Sequence, residues 1–224
     1  MKRFYLSATL TPGATLTLPE PLSHRLRNVL RMQPGDPLHL FNNQGELAAA
    51  TLADAKARHV VVTAMLPAPA PLTPRTLVLG VPKREAWESA LRQATELGVT
   101  TIIPLKTKFS QVGKLNFARA EATLIEAAEQ SERTTLPLLA PLTPLHLFLE
   151  ALAHPCAWAY ERMGTHAATA LVPTHSVLVG PEGGFASEEV EALQRNPHIV
   201  PFSLGPTILR TDTAVVAALA HLQR

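Results

Sequence analysis

The chain has 224 residues, 46% of them hydrophobic and 17% charged, with a net charge of +2. That composition supports a substantial core and excludes a chain disordered throughout; the length allows one large domain, or a small one joined to a medium one. No apolar run approaches the ~20 residues of a membrane span, and the single Cys156 excludes an intramolecular disulfide and a cysteine-rich metal site. Polar residues interrupt the apolar stretch after the basic start MKRFYLSATLTPGATL, so the N-terminus reads as mature chain rather than a signal peptide. Charge is uneven: residues 1–74 carry +3, residues 75–135 carry +2 and residues 136–224 carry −3. A basic front half favours a polyanionic partner.

In chain order, short alternating runs come first: RFYLS, TLTL, PLHLF, ELAAATL and HVVVTAML, separated by turn signals such as PGD and NNQGE. They predict a small antiparallel barrel. One helix interrupts it, HRLRNVLRM, for which Ser23 is the expected cap. Helical spacing puts Leu22, Leu26, Val29 and Leu30 on one face and His24, Arg27 and Arg31 on the opposite one. No acidic residue within the helix neutralises those cations, which fit either phosphate contacts or an ordinary solvated face. Residues 66–76, with four prolines, read as a stiff linker. The expected domains are therefore 1–70 and 75–224.

After the linker the period changes. TLVLG reads as a buried strand and REAWESALRQATELG as a helix with an apolar stripe of Trp87, Ala90, Leu91, Ala94 and Leu97 and a stop at Gly98. TTIIP, CAWAY, SVLVG and HIVPFSLG read as further strands. Helices are expected from Asn116 to Arg133, after a Thr143 cap with Pro144 in the first turn, and after a Ser187 cap. The closing TAVVAALAHLQ is apolar on nearly all sides, which predicts a buried helix. Strands alternating with helices imply a parallel sheet covered on both faces.

Ligands of such sheets bind beyond the carboxyl ends of the strands, where two loops stand out. GPEGGF follows SVLV and crowds Gly180, Pro181, Glu182, Gly183 and Gly184 together. It is either a tight turn between strand and helix or a place where a ligand lies against bare backbone. It is neither a phosphate loop nor a G-x-G-x-x-G fingerprint, and Glu182 stands where a nucleophilic serine would be. LGPTILRTDTA follows IVPFS and offers Leu204, Gly205, Ile208, Leu209 and Arg210; its plainer reading is a strand–turn–helix with Arg210 in a surface ion pair. The nine histidines form no H-E-x-x-H and complete no metal-ligand spacing with the single cysteine, so no metal is expected.

GPEGGF, LGPTILRTDTA, ATELGV and AAEQSER occur in that order, behind SHRLRNVLRMQPGDPLHLF. Together they resemble the RsmE-type family, bacterial 16S ribosomal RNA uridine-N3 methyltransferases of the SPOUT superfamily, over nearly the whole chain. The resemblance implies an α/β fold: a C-terminal parallel sheet tied in a deep trefoil knot, behind an N-terminal PUA-like RNA-binding β-barrel. It implies a cytoplasmic homodimer that binds S-adenosylmethionine and acts on 16S ribosomal RNA of the small ribosomal subunit. Residues 180–184 would form one wall of the cofactor pocket, and Leu204, Gly205, Ile208 and Leu209 the other. His24, Arg27 and Arg31 would meet RNA. The chain departs from the family at Thr207 and Gln93, where cations are usual, at Asp212, where glutamate is usual, and at residues 108–110, where KFS replaces an Arg-Ser pair.

Uracil N3 is a poor nucleophile until its proton leaves, and the resulting charge spreads to the flanking carbonyl oxygens. Arg210, directly after the pocket wall, is the candidate cation to stabilise it. An ordinary glutamate, with a pKa of ~4.3, is a poor sole base for an imide, which argues against Glu182 in that role. Two other readings stay open: a related methyltransferase acting on another base or ribose position, and a non-catalytic RNA-binding assembly factor. A Rossmann-type methyltransferase is disfavoured because VPKREAW, not a glycine-rich loop, follows the first strand of the second domain.

Overall fold

The computed structural model describes residues 1–111, 115–160 and 174–222. Gln223, with which the predicted final helix ends, lies outside them. The chain divides into two compact units: Met1–Pro71 with Ala128–Leu136, and Leu72–Ala127 with Pro137–Arg224. The cut at Pro71 falls inside the proline-rich stretch. The return of residues 128–136 to the first unit was not expected. Among the described residues no helix is long and apolar enough to cross a membrane.

Each of the five alternating runs holds a strand of the first unit: β1 (Arg3–Tyr5), β2 (Thr15–Thr17), β3 (Pro37–Phe41), β4 (Leu47–Leu52) and β5 (His59–Leu66). They form one sheet of order β1-β3-β4-β5-β2. The expected all-antiparallel pairing fails at one place. β1 runs parallel to β3, Phe4 opposite Leu40, because the helical segment lies between them and returns the chain in the same direction. Alternation buries Leu38, Leu40, Ala48, Ala50, Val60 and Val62 around Leu26.

The helical segment also differs. It starts earlier, as α1 (Glu20–His24) behind Pro19, and continues as a π-helical turn, Arg25–Val29. Ser23 is not a cap: its buried hydroxyl donates to the carbonyls of Lys56 and Ala57. The wider winding carries Val29 off the apolar face, to 66% exposure. The helix stops at Leu30. Met32 N–H bonds Leu26 C=O at 3.0 Å, and Arg31 takes φ 53°, the left-handed position usually given to glycine. Arg27 and Arg31 therefore do not share a helical face. Arg25 is the cation with a firm partner, the carboxylate of Glu129 at 2.5 Å.

The second unit is built on a wholly parallel sheet. Its strands are β6 (Thr76–Gly80), β7 (Thr101–Lys106), β8 (Leu138–Leu139), β9 (Thr143–Pro144), β10 (Cys156–Ala159), β11 (Ser176–Val179) and β12 (Ile199–Phe202). The order is β12-β10-β11-β6-β7-β8, with β9 also on β7. Helices are α2 (Arg84–Glu96), α3 (Phe117–Gln130), α4 (Leu145–Ala151), α5 (Ser187–Arg195) and α6 (Thr211–Leu222). Within β6, Leu77 and Leu79 join one core with Trp87, Ala90, Leu91 and Ala94 of α2 and Val215, Ala218 and Leu219 of α6. Val78 points the other way, into a core with Phe148 of α4, Leu193 of α5, Trp158 and Leu178. Each fully buried leucine of these layers contributes roughly 1.5–3 kcal/mol by leaving water.

Helix ends largely follow chemistry. Gly98 ends α2 with φ 81°, and Asn116 Oδ1 accepts the Arg119 N–H at the start of α3. Pro144 rather than Thr143 precedes α4, because Thr143 and Pro144 pair with β7. Ser187 is the first residue of α5 rather than its cap; Glu189 instead reaches back to the Ala186 N–H at 2.9 Å. α6 buries one face only, Thr211, Val215, Ala218 and Leu219; Val216 and Ala217 stay half-buried and Ala220 exposed. The expectation of a helix buried on nearly all sides does not hold within one chain.

Cys156 is fully buried, and burial pushes its thiol up to about 12, so it acts as core rather than nucleophile. Glu88 of α2 links two helices: Arg119 of α3 lies 2.5 Å away and Arg84 3.0 Å away. Hydrogen bonds from Arg119, then Arg84, hold its carboxyl at about 2, below the ordinary 4.5. A depressed carboxyl stabilises the fold above its unfolded pKa, and that contribution is lost as pH falls towards the folded one. Thermal unfolding of Glu88→Gln against the parent should therefore differ at neutral pH and converge between pH 4.5 and 2. A gap unchanged across that range would show that the pair contributes nothing.

Candidate active site

The sheet order places β10 between β11 and β12, so the loops after β11 and β12 flank its carboxyl end. This is the crevice at which open parallel sheets receive ligands. A cleft of about 580 Å³ opens there, within the range of small-molecule sites. Gly180, Pro181, Glu182, Gly183 and Gly184 line one side; Leu204, Gly205, Ile208, Leu209 and Arg210 line the other. All ten candidate residues of the two loops thus meet in one place. His24, Arg27 and Arg31 belong to the first unit.

The glycines have reasons of their own. Pro181 C=O accepts the Gly184 N–H at 2.8 Å, closing a turn in which Gly184 takes φ 67°. A Cβ on Gly180 would stand 2.9 Å from the Phe185 ring, and one on Gly183 would stand 2.8 Å from Phe109 Cβ. Gly183→Val would therefore displace Phe109 as well as crowd the cleft. Gly80, which the sequence pattern did not single out, is tighter still: its Cβ would lie 2.5 Å from Pro181 Cδ. The bare backbone of this turn packs first against the protein itself.

Glu182 has a structural task. Its carboxylate accepts the Lys83 N–H at 3.1 and 3.2 Å, at the amino end of α2, where negative charge is favoured. Thr211 Oγ1 reaches Gly180 C=O at 3.5 Å and links the two loops. Arg210 is exposed, and among the described residues its guanidinium has no hydrogen bond or ion pair; the surface-pair reading fails. It is the one Lys or Arg among the residues described around the cleft. Of the departures from the family pattern, Thr207 lines the cleft, and Gln93 on α2 keeps its buried Oε1 without a partner among the described residues.

The aromatic floor of the cleft was not foreseen from the sequence. Trp158 and Tyr160 stack with centroids 4.2 Å apart at 21°, and Phe185 meets Trp158 edge-on at 5.9 Å. CAWAY read only as a strand; that its end is a floor follows from β10 lying between β11 and β12, which spacing along the chain does not reveal. Ser187, Val190 and Glu191 add one face of α5. Ile208, 80% exposed, is an apolar surface that a ligand in the cleft would cover. Among the described residues no group of three or more His, Cys, Asp or Glu could hold a metal ion.

The RNA methyltransferase domain family matches residues 68–223, and the RNA methyltransferase PUA domain matches residues 20–64. The ribosomal RNA small subunit methyltransferase E of Rickettsia conorii is 30% identical over 230 residues, covering 99% of this chain and 94% of its own. The chain belongs to the ribosomal RNA small-subunit methyltransferase E family. The Synechocystis member is 34% identical, covering 93% of this chain and 73% of its own. A member from Neisseria gonorrhoeae, solved bound to S-adenosylmethionine, matches with TM-score 0.84 at 30% identity, covering 100% of this chain and 97% of its own.

The close contact at Gly80 gives a test of how this family member builds its cleft. Gly80→Ala should destabilise the protein by about 1–3 kcal/mol, the usual range for overpacking, read by denaturant titration. An unchanged midpoint would mean that Pro181 yields freely and that the turn is not fixed by this contact.

Proposed function

We propose that this chain transfers a methyl group from S-adenosylmethionine to N3 of a uracil in 16S ribosomal RNA of the small ribosomal subunit. One observation carries the reading: ten residues named from two separate loops line a single cleft in a chain of the methyltransferase family. The cleft suits the cofactor chemically. Tyr160 and Ile208 offer surface for a flat base and its ribose, backbone groups of residues 180–184 and 204–205 offer polar edges, and Glu182, Glu191 and Arg210 offer charge. We extend the reading to a trefoil knot and a PUA-like barrel. The parallel sheet with β10 between β11 and β12 supports the first, and the buried inner side of the five-stranded sheet supports the second.

When bound, S-adenosylmethionine supplies an electrophilic methyl on a sulfonium. The chain must hold uracil N3 in line with that methyl and let the N3 proton leave to water, since the Glu182 carboxylate is engaged at Lys83. As charge spreads to the uracil oxygens, Arg210 stabilises it from the cleft wall. A homodimer completes the reading, and the half-open apolar face of α6 supports it. The working compartment is the cytoplasm, where ribosomes are.

Arg210→Lys keeps a charge but loses the planar fork. It should keep cofactor affinity, followed by calorimetry or Trp158 fluorescence, and the dimer, followed by sedimentation. Single-turnover methyl transfer should fall roughly 100- to 1000-fold. A wild-type rate would remove Arg210 from the chemistry. Nucleoside mass spectrometry of the product tests the position: a methyl on ribose or another base atom would replace the N3 assignment, and absence of cofactor binding would favour an assembly factor.

For RNA binding, Arg27→Ala with Arg31→Gly removes both cations while giving position 31 the residue its left-handed backbone suits. The slope of log affinity against log salt should flatten by roughly two counterions. An unaltered slope would make both residues a solvated surface.

A further inference from the structure

Gly183 has two sides. One lines the cleft; the other lines a second, open depression of about 340 Å³ formed with Lys108, Phe109, Ser110 and Gln111. Gly183 is therefore an edge that the two share. Phe109 lies directly on it, so close that a Cβ on Gly183 would meet Phe109 Cβ and Cγ at 2.8 and 3.4 Å. Yet Phe109 is 44% exposed. Its inner half holds the turn, and the rest of the side chain faces water.

The loop that carries it is fastened from three directions. Lys108 N–H donates to Glu189 at 2.8 Å, and Gln111 N–H donates to Val81 C=O at 2.9 Å. Ser110 Oγ accepts the Thr107 N–H at 3.0 Å and donates to Thr107 C=O at 2.8 Å. The Lys108 ammonium is taken up by Glu188 at 2.8 Å, so the rim carries a neutralised pair rather than a free cation. A fastened, half-exposed phenyl ring beside a neutral rim suits the π-face of an unpaired base better than a phosphate.

We propose that Phe109 is the platform on which the base to be methylated stacks, in the depression that meets the cleft at Gly183. The inference rests on the methyltransferase reading above and adds a substrate site to it. Enzymes that modify a base draw it out of its stack and hold it against aromatic or apolar side chains. A base stacked on Phe109 stands at the edge that the two hollows share at Gly183, from which its N3 can enter the cleft that Arg210 lines.

The test uses the full-length protein, small ribosomal subunits lacking the modification and S-adenosylmethionine with a labelled methyl. Phe109→Ala should leave cofactor affinity within about twofold and reduce single-turnover transfer roughly 5- to 150-fold, the range for losing one base stack. Phe109→Tyr should restore transfer and Phe109→Leu should not. The salt dependence of RNA binding should be unchanged, because no phosphate contact is removed. The proposal is overturned if Phe109→Ala transfers at the wild-type rate, if leucine rescues as well as tyrosine, or if cofactor affinity falls in parallel with transfer, which would make Phe109 only the packing of Gly183. A wild-type protein that binds no cofactor or transfers no methyl overturns the methyltransferase reading and this site with it; normal wild-type transfer beside an unaffected Phe109→Ala overturns this site alone.

Discussion

At the turn after β11, main chain and its neighbours pack too closely to admit a Cβ, and the site depends on that closeness. Gly80 admits Pro181, Gly180 admits the Phe185 ring and Gly183 admits Phe109. Any Cβ at these three positions would force backbone or a ring to move, in an interior that has little free volume. The turn is held on several sides before any ligand arrives, which is the condition for backbone groups to act as fixed recognition elements.

Carboxylates tie the surrounding elements to it. Glu182 runs from the turn to the start of α2, and Glu189 receives N–H groups from Ala186 and from Lys108. Each places negative charge at a helix amino end, so one side chain satisfies donors that the helix leaves open and fastens a second segment. Arg210 contrasts with them, having no partner among the described residues. A cation left unspent in a cleft whose other charges, among the described residues, are acidic is available to a ligand.

Much of this was legible in the chain. Alternation located the five strands of the first unit, and a change of period located the sheet and helices of the second. The two loops were visible by composition, because glycine and proline crowded directly after an apolar run mark a turn at a strand's end where backbone can be approached closely. What stayed hidden is non-local. The parallel pairing of β1 with β3, the position of β10 between the loops and the aromatic floor all depend on strand order, which spacing does not encode. The π-helical turn escaped because HRLRNVLRM satisfies a 3.6-residue period as well; the altered winding shows in the bond from Leu30 N–H to Arg25 C=O at 2.9 Å, five residues apart. Gly183 was assigned to a ligand because the phenyl group that needs it lies 74 positions away along the chain.

The first unit is not contiguous, and this bears on synthesis. Residues 128–136 belong to it: Ala128 and Leu136 pack with Phe41, Leu47 and Tyr5, and Glu129 accepts the Tyr5 N–H and pairs with Arg25. On the ribosome, the segment up to Pro71 emerges without these partners. At roughly 5–20 residues per second, the remaining stretch to Leu136 takes about 3–13 s to make. For that interval Phe41 and Leu47 lack part of their cover and Arg25 lacks its carboxylate. A nascent chain whose first strands wait this long for distant residues is exposed to trapping by other hydrophobic surfaces, and completion of the N-terminal unit is coupled to the growth of α3 rather than to the end of β5.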